Sequence, residues 1–291
     1  MCRMLIILLS SLMMIGQSSA EAGILERLAM GNSTKTCGPC VRVLVLHDVK
    51  EADLSVVGKY VILDPVKHKV ISRRVHGKAR PIEAVHSGLK WGEEFPDIAA
   101  VKIVPTSPDT RILVNGVPYS GIIAIYDLGQ KVSIVNEVDI EDYVFSVLAS
   151  KVDRPVPKEA LAAIAIAQRT NAYYRSTFSQ NSYWDIDGTK TEYRGMAAQT
   201  MSAPAVEAVD STSYMVMNLP AAKKKATVGQ SWQVGLFPAS WEVETDAPKV
   251  KGKPTLVLSE AESSASQGQN AAQILSKTFP GITIERMFPV Y

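Results

Sequence analysis

The chain has 291 residues, a length that allows one large domain or two smaller ones. Its hydrophobic fraction of 46% and charged fraction of 21% are typical of a folded globular protein and exclude a wholly disordered, collagen-like or coiled-coil chain. The 31 Lys and Arg residues and the 29 Asp and Glu residues give a formal net charge of only +2, which argues against nucleic acid as a partner.

Residues 1–20 have the pattern of a secretory signal peptide. Arg3 precedes an apolar run from Met4 to Ile15, and Ser18 and Ala20 are small residues at the positions that a signal peptidase recognises. The apolar run is shorter than the ~20 residues that a membrane-spanning helix needs. The alternative, a buried N-terminal helix, would need a large core around it. We therefore expect a secreted or periplasmic chain with no transmembrane anchor after cleavage of the signal.

Two cysteines follow in the sequence Thr36-Cys-Gly-Pro-Cys40. This sequence matches the dithiol motif of thioredoxin-like oxidoreductases. In that motif the first cysteine lies at the start of a helix that follows a strand. Here polar residues precede the motif, and a predicted strand, Val41–Leu46, follows it. This reversed order favours a small-loop disulfide or two spare thiols at Cys37 and Cys40 over a redox role.

The chain then continues as a series of predicted strands, because short apolar runs alternate with polar residues. Further strands are expected at Tyr60–Leu63, Lys69–Arg73, Ala99–Val104, Ile122–Tyr126 and Val132–Val135, the last two joined by a hairpin loop at 127–130. The histidines lie at spacings that match no zinc signature. The sequence therefore predicts neither a metal site nor a cofactor. The four histidines are His47, His68, His76 and His86.

Two helices are predicted next, at about 139–149 and 157–175. Asp139 is placed to cap the first helix, with Asp142 three residues later as in an acidic capping box. Its apolar residues fall on one face, at Ile140, Tyr143, Val144, Val147 and Leu148. The second helix begins near Pro157 and is so rich in alanine that other elements can approach it closely, which predicts a central helix.

The C-terminal part of the chain is less patterned. The Ser-, Ala-, Glu- and Gln-rich stretch 259–270 indicates a linker or exposed turn, preceded by a strand-like stretch at Thr255–Leu258. A helix is expected at Ala271–Ser276 and a closing strand at Ile282–Met287. With the strands and helices before it, this order predicts an α+β fold.

Several ordered blocks of the chain resemble the stage II sporulation protein D and amidase-enhancer LytB (SpoIID/LytB) family of cell-wall proteins. The blocks are Ile140-Glu-Asp-Tyr-Val144, Glu159-Ala-Leu161 with Arg169-Thr170, Asp185 to Gly195, and Ala205-Val-Glu-Ala208 with Tyr214 to Met217. The resemblance implies a helix and a strand for the last block. It implies a SpoIID/LytB-like domain at 41–217, best matched over 110–217, and leaves 218–291 unassigned.

Members of this family bind peptidoglycan and either cleave its glycan strands as lytic transglycosylases or stimulate amidases. The implied cleavage needs a carboxylic acid that protonates the glycosidic oxygen. In the family this Glu lies eight residues before the Glu of the Glu-Ala-Leu block, and that position is Lys151 here. A lysine ordinarily has a pKa of ~10.4 and is a poor proton donor near neutral pH. The resemblance therefore implies a catalytic position that has lost its acid.

Two hypotheses follow from this substitution. The first is a binding protein that holds glycan strands, or recruits a cell-wall amidase, with lost or impaired activity. The second is an active lytic transglycosylase that uses a relocated acid, with Asp153 and Glu141 as the catalytic candidates. In both, the resemblance implies substrate contacts from a larger set of residues. They are Glu159, Arg169, Thr170, Asp187, Glu192 and Tyr193.

Overall fold

A computed structural model describes residues 39–152, 154–196, 203–218, 243–244 and 255–287. The predicted signal peptide, Cys37 and Asp153 lie outside the described residues. Those that are described group into two compact units. Unit 1 contains residues 48–116 and 121–132, and unit 2 contains residues 39–47, 117–120 and 133–287.

Both strands and helices are present, which confirms the predicted α+β class. The strands are β1 (Cys40–Val49), β2 (Glu51–Asp64), β3 (Lys69–Val85), β4 (Gly88–Trp91), β5 (Glu93–Pro96), β6 (Ala100–Pro105), β7 (Arg111–Val114), β8 (Val117–Tyr119), β9 (Ile122–Asp127), β10 (Val132–Asp139), β11 (Ile186–Asp187), β12 (Met215–Asn218), β13 (Val243–Glu244), β14 (Leu256–Val257) and β15 (Thr283–Arg286). The helices are α1 (Ile140–Lys151), α2 (Lys158–Phe178), α3 (Gly188–Thr191), α4 (Ala203–Ser211), α5 (Leu258–Ser266) and α6 (Ala271–Thr278). None of the described helices is long and apolar enough to cross a membrane.

Unit 1 is an antiparallel sheet with the strand order β9-β6-β2-β3-β4-β5, and β7 pairs with the first half of β2. The predicted strands at 60–63 and 69–73 are confirmed, but each is a short part of a long strand. The pairing of β2 with β3 shifts register between Val57 and Tyr60, so the hairpin bends there. Trp91 is buried in the core of unit 1, and its Nε1 donates to the carbonyl of Leu54 at 3.0 Å.

In unit 2, β1 lies between β10 and β11, and it runs parallel to β11. This confirms the strand predicted at Val41–Leu46. Arg42 fixes the pairing, because its Nη2 donates to Asp185 Oδ1 at 2.6 Å and its backbone amide donates to Asp185 Oδ2 at 2.9 Å. Charge-assisted hydrogen bonds of this kind are stronger than neutral ones, so the short β11 is held firmly against β1.

The two predicted helices are confirmed as α1 and α2. Asp139 caps α1, since its side chain accepts from the amide of Glu141 at 2.8 Å. All residues of α2 from Ala160 to Thr170 are buried, as expected for a central helix that other elements surround. Helix α2 packs against α1, α4, α5, α6 and β12.

The prediction of a linker at 259–270 is wrong for its first part, where the chain forms helix α5. Leu258, Ala261 and Ser264 are buried along one side of this helix, and α5 packs on α2. Tertiary packing therefore stabilises a segment whose polar composition indicates a linker. The helix and strand predicted after it are confirmed as α6 and β15, as are those predicted at 205–208 and 214–217, α4 and β12.

Candidate functional site

Glu141 and Arg169 form a buried ion pair between α1 and α2. Arg169 Nε donates to Glu141 Oε1 at 2.7 Å, and Nη2 donates to Oε2 at 2.6 Å. The Arg169 side chain is 0% exposed and that of Glu141 is 18% exposed. The amide of Tyr214 also donates to Glu141 Oε1, at 2.8 Å. Both oxygens of this carboxylate are thus occupied as acceptors, and the pair joins two helices to the start of β12.

Thr170 continues the same connection one residue later on α2. Its hydroxyl donates to the carbonyl of Ile166 at 2.7 Å and accepts from the amide of Met217 at 2.9 Å, and Arg169 Nη1 donates to the carbonyl of Met215 at 3.2 Å. These contacts satisfy backbone groups of β12 in a buried environment, where an unpaired polar group would be costly. The structure therefore gives Arg169 and Thr170 structural contacts, and their predicted substrate contacts stay predictions.

Tyr193 lies in a buried cluster of tyrosines rather than on the surface. Its hydroxyl donates to Asn136 Oδ1 at 2.5 Å, and its ring centroid is 6.1 Å from that of Tyr119 and 5.5 Å from that of Tyr143. Burial raises the pKa of Tyr119 to about 12 and raises the pKa of Tyr193 well above its ordinary value, to which the Asp142 carboxylate contributes. The cluster is therefore neutral and serves to pack the end of β10 against α1 and the 192–196 segment.

Asp187 and Glu192 lie at the two ends of the short helix α3. Asp187 caps it by accepting from the amide and the hydroxyl of Thr189 at 3.1 and 2.6 Å. Partial burial acts to raise the pKa of Asp187, but hydrogen bonds from Thr189 and Lys190 outweigh it and lower that pKa. Glu192 ends α3 in the left-handed region, at φ 57°, and its side chain is exposed. Of the predicted substrate-binding residues, Glu192 is the most accessible.

The other predicted binding residue, Glu159, contacts the C-terminal segment. Its Oε2 accepts from the amide of Ala271 at 2.8 Å, next to the capping box that Asn270 and Gln273 form at the start of α6. Nearby, Arg154 forms an ion pair with Glu262 of α5. Arg154, just before α2, and Glu159, in the first turn of α2, thus contact helices α5 and α6 respectively.

Lys151, the position at which the resemblance implies an acid, is the last residue of α1 and is half-buried. Glu141 is ten residues earlier on the same helix, which at 1.5 Å per residue places the two about 15 Å apart along the axis. The structure therefore brings Glu141 to Arg169 and keeps it away from Lys151. The other catalytic candidate, Asp153, lies outside the described residues.

Sequence reasoning missed the partners that fix these side chains. Asn136 is fully buried in β10, and besides Tyr193 it contacts the carbonyl of Ser120, to which its Nδ2 donates at 2.8 Å. An asparagine directly after the apolar residues Ile134 and Val135 is the signal that could have revealed it, because a buried amide needs partners. The pairing of Arg42 with Asp185, 143 residues apart, leaves no local signal.

An aromatic surface also escaped prediction as a group. Trp184 packs edge-on against His47, with ring centroids 5.2 Å apart at 61°, and Tyr183 lies beside Trp184 with its side chain reaching solvent. Asn181 Oδ1 accepts from the amides of both aromatic residues, at 2.8 and 3.2 Å, so their loop is held in one conformation. We call Tyr183, Trp184 and His47 the aromatic surface. In the described part of the chain, no group of three His, Cys, Asp or Glu side chains is arranged to hold a metal ion.

Comparison with known proteins gives a family match to the region just described. Residues 128–218 match the SpoIID family, described as "Stage II sporulation protein". An uncharacterized protein of Chlamydia muridarum is 32% identical over 184 residues, which are 62% of this chain and 64% of that protein. One of Chlamydia pneumoniae is 29% identical over 185 residues, 62% of this chain and 67% of that protein.

A protein of Brachyspira hyodysenteriae is 34% identical over 103 residues, 35% of this chain and 28% of that protein. No solved structure matches this chain. The alignments leave about a third or more of each relative uncovered. The family match itself covers α1, α2, α3, α4 and β12, and the matched residues include the Glu141–Arg169 pair, Tyr143, Tyr193 and Lys151. The chain thus resembles the SpoIID family over residues 128–218.

Proposed function

We propose that the chain is a secreted cell-envelope protein that binds the glycan strands of peptidoglycan and has lost or impaired lytic transglycosylase activity. The observation that carries the proposal is Lys151 at the end of α1, where the family resemblance implies the acid. In the implied reaction a neutral carboxylic acid donates a proton to the leaving glycosidic oxygen. A lysine ammonium group cannot replace the carboxylic acid in this step.

The acids near Lys151 in sequence support the loss of activity, because the described ones already have hydrogen-bond partners. Glu141 accepts from Arg169 and Tyr214, and Glu159 accepts from the amide of Ala271. Asp139 accepts from the amide of Glu141, and Asp142 accepts from the hydroxyl of Ser120. A relocated acid would have to give up one of these contacts. Asp153 is the remaining candidate for the alternative, an active lytic transglycosylase.

The aromatic surface supports retained glycan binding. Sugar rings present C–H groups on their faces, and these groups pack against the electron-rich faces of aromatic side chains. Tyr183 is 39% exposed, and its backbone amide donates to Asn181 Oδ1 at 2.8 Å. An exposed aromatic side chain on a backbone that is already held in one conformation lowers the entropy cost of binding a ligand. A cell-wall amidase recruited to the bound glycan is the alternative partner.

We expect Tyr183→Ala to weaken sedimentation of the chain with insoluble peptidoglycan by about fivefold, because the stacking surface is removed. Tyr183→Phe is the matched control and should sediment like the unmodified chain, since it keeps the ring. Equal sedimentation of all three proteins would remove the aromatic surface from the proposal. No sedimentation of the unmodified chain would contradict glycan binding itself.

A further inference from the structure

Unit 1 concentrates positive charge on one hairpin. Residues 57–80, which we call the cationic hairpin, comprise the end of β2, the connecting turn and most of β3. They include one acid, Asp64, which is 4% exposed and accepts from the amides of Val66 and Lys67 in the turn. The seven basic residues are Lys59, Lys67, Lys69, Arg73, Arg74, Lys78 and Arg80. The hairpin therefore has a net charge of +6 in a chain whose total is +2.

Among the described residues, most of this charge has no ion-pair partner. Arg74 pairs with Glu93 of β5, and Asp64 lies opposite Lys69 in the register of the two strands. The side chains of Lys67, Arg73, Lys78 and Arg80 are exposed, and no acidic residue occurs between Asp64 and Glu83. A surface of this kind attracts polyanions through its summed field.

The same hairpin exposes aliphatic side chains. Val66 in the turn is 74% exposed, Val75 on β3 is 71% exposed, and Val57 on β2, which pairs with His76, is 53% exposed. The described residues include five large hydrophobic side chains that are exposed, and these three valines are among the five. Val66 lies in the turn, and Val57 and Val75 lie towards the other end of the hairpin, so apolar groups are exposed along its length.

Protection of a sheet edge explains only part of this composition. Strand β4 pairs with β3 only over Ile82–Val85, so within the described residues the outer edge of β3 from Lys69 to Arg80 has no neighbouring strand. Lys and Arg on such an edge discourage pairing with other chains. Exposed valines have the opposite effect, because β-branched apolar residues favour strand pairing. The valines therefore require a second explanation.

We infer that the cationic hairpin binds the surface of an anionic phospholipid membrane. Each Lys or Arg held near such a surface is attracted to the lipid phosphates. Val66 and Val75 supply apolar groups that enter the boundary between headgroups and acyl chains. Single-stranded nucleic acid fits less well, because its bases stack on exposed aromatic side chains and the exposed apolar groups here are valines. The inference concerns unit 1 and does not rest on glycan binding by unit 2.

The test is co-sedimentation of the chain, lacking the predicted signal peptide, with vesicles of phosphatidylcholine with or without about 30% phosphatidylglycerol. We expect binding to the anionic vesicles that falls steeply as the salt concentration rises, and none to the neutral ones. Arg73→Gln/Lys78→Gln should weaken binding about tenfold or more, and Val66→Ser/Val75→Ser about fivefold. All four side chains are exposed, so we expect both variants to fold, which circular dichroism checks.

Lys50→Gln/Lys131→Gln is the matched control, because it removes two exposed lysines of unit 1 outside the hairpin. It should bind the anionic vesicles within about twofold of the unmodified chain. The inference is overturned by equal binding to neutral and anionic vesicles, by no binding to either, or by hairpin variants that bind like the control. Binding of a single-stranded RNA with the same dependence on Arg73 and Lys78, together with failure to bind vesicles, would overturn it in favour of a nucleic-acid surface.

Discussion

Glu141→Gln is expected to destabilise the chain by about 3 kcal/mol, because it leaves the fully buried Arg169 guanidinium without its counter-charge. The change keeps the shape of the side chain but replaces one acceptor oxygen with an NH2 donor, so the loss combines the missing charge with one missing hydrogen bond. Urea unfolding followed by circular dichroism measures it as a lower midpoint. We chose Gln because the same variant tests the alternative in which Glu141 is a relocated catalytic acid.

Two controls define that result. Glu207→Gln removes the acid of the exposed Lys158–Glu207 pair and should change stability by less than about 1 kcal/mol. Glu141→Leu/Arg169→Met removes both charges and should recover part of the loss seen for Glu141→Gln, since no buried charge then lacks its partner. A Glu141→Gln variant with unchanged stability would contradict the structural role that we assign to the pair.

Gly195→Ala is expected to cost about 3 kcal/mol, because the backbone at Gly195 is both left-handed and tightly packed. Its φ is +56°, and a Cβ built there would lie 2.6 Å from the carbonyl oxygen of Pro118 and 2.6 Å from Cδ1 of Tyr119. The adjacent amide of Met196 donates to the same Pro118 carbonyl at 2.8 Å. Strand β8, which contains Pro118, therefore cannot move away from Gly195 without losing this hydrogen bond. The thermal midpoint measures the effect.

Gly268→Ala separates backbone strain from packing. Gly268 has a φ of +82° in the same unit, but a Cβ built there has no atom within 4 Å. Its substitution should cost about 1 kcal/mol, which is the strain alone. If both alanine variants lost equal stability, the close contact of Gly195 with Pro118 would carry no energetic weight.

Local sequence patterns were sufficient to predict helices whose apolar or alanine residues recur with a clear helical period. The apolar stripe of α1 and its cap at Asp139, and the alanine-rich α2, are where the sequence predicts them. Strand β3 was predicted at only part of its length because its Lys and Arg residues interrupt the alternation, and pairing with β2 holds it extended. Helix α5 was missed because the contact that stabilises it is packing against α2, which is distant in sequence.

The candidate site could be predicted by residue type but not by partner. The resemblance selects Glu141, Arg169 and Tyr193, and the structure describes all three. Their partners are 28 residues away for the ion pair and 57 residues away for Asn136 and Tyr193, and no local pattern encodes such pairings. Arg169, which the resemblance selects as a substrate contact, also holds the fold together through its ion pair with Glu141.

The most direct measurement of the central claim is mass spectrometry of the soluble products after residues 21–291 are incubated with peptidoglycan. A Lys151→Glu variant, which restores the family's acid, is incubated in parallel and shows whether the single substitution accounts for the loss. Our account predicts that the unmodified chain sediments with the insoluble wall and releases no anhydromuramyl ends. Release of these ends by the unmodified chain would contradict it and would identify a relocated acid, with Asp153 the first residue to replace.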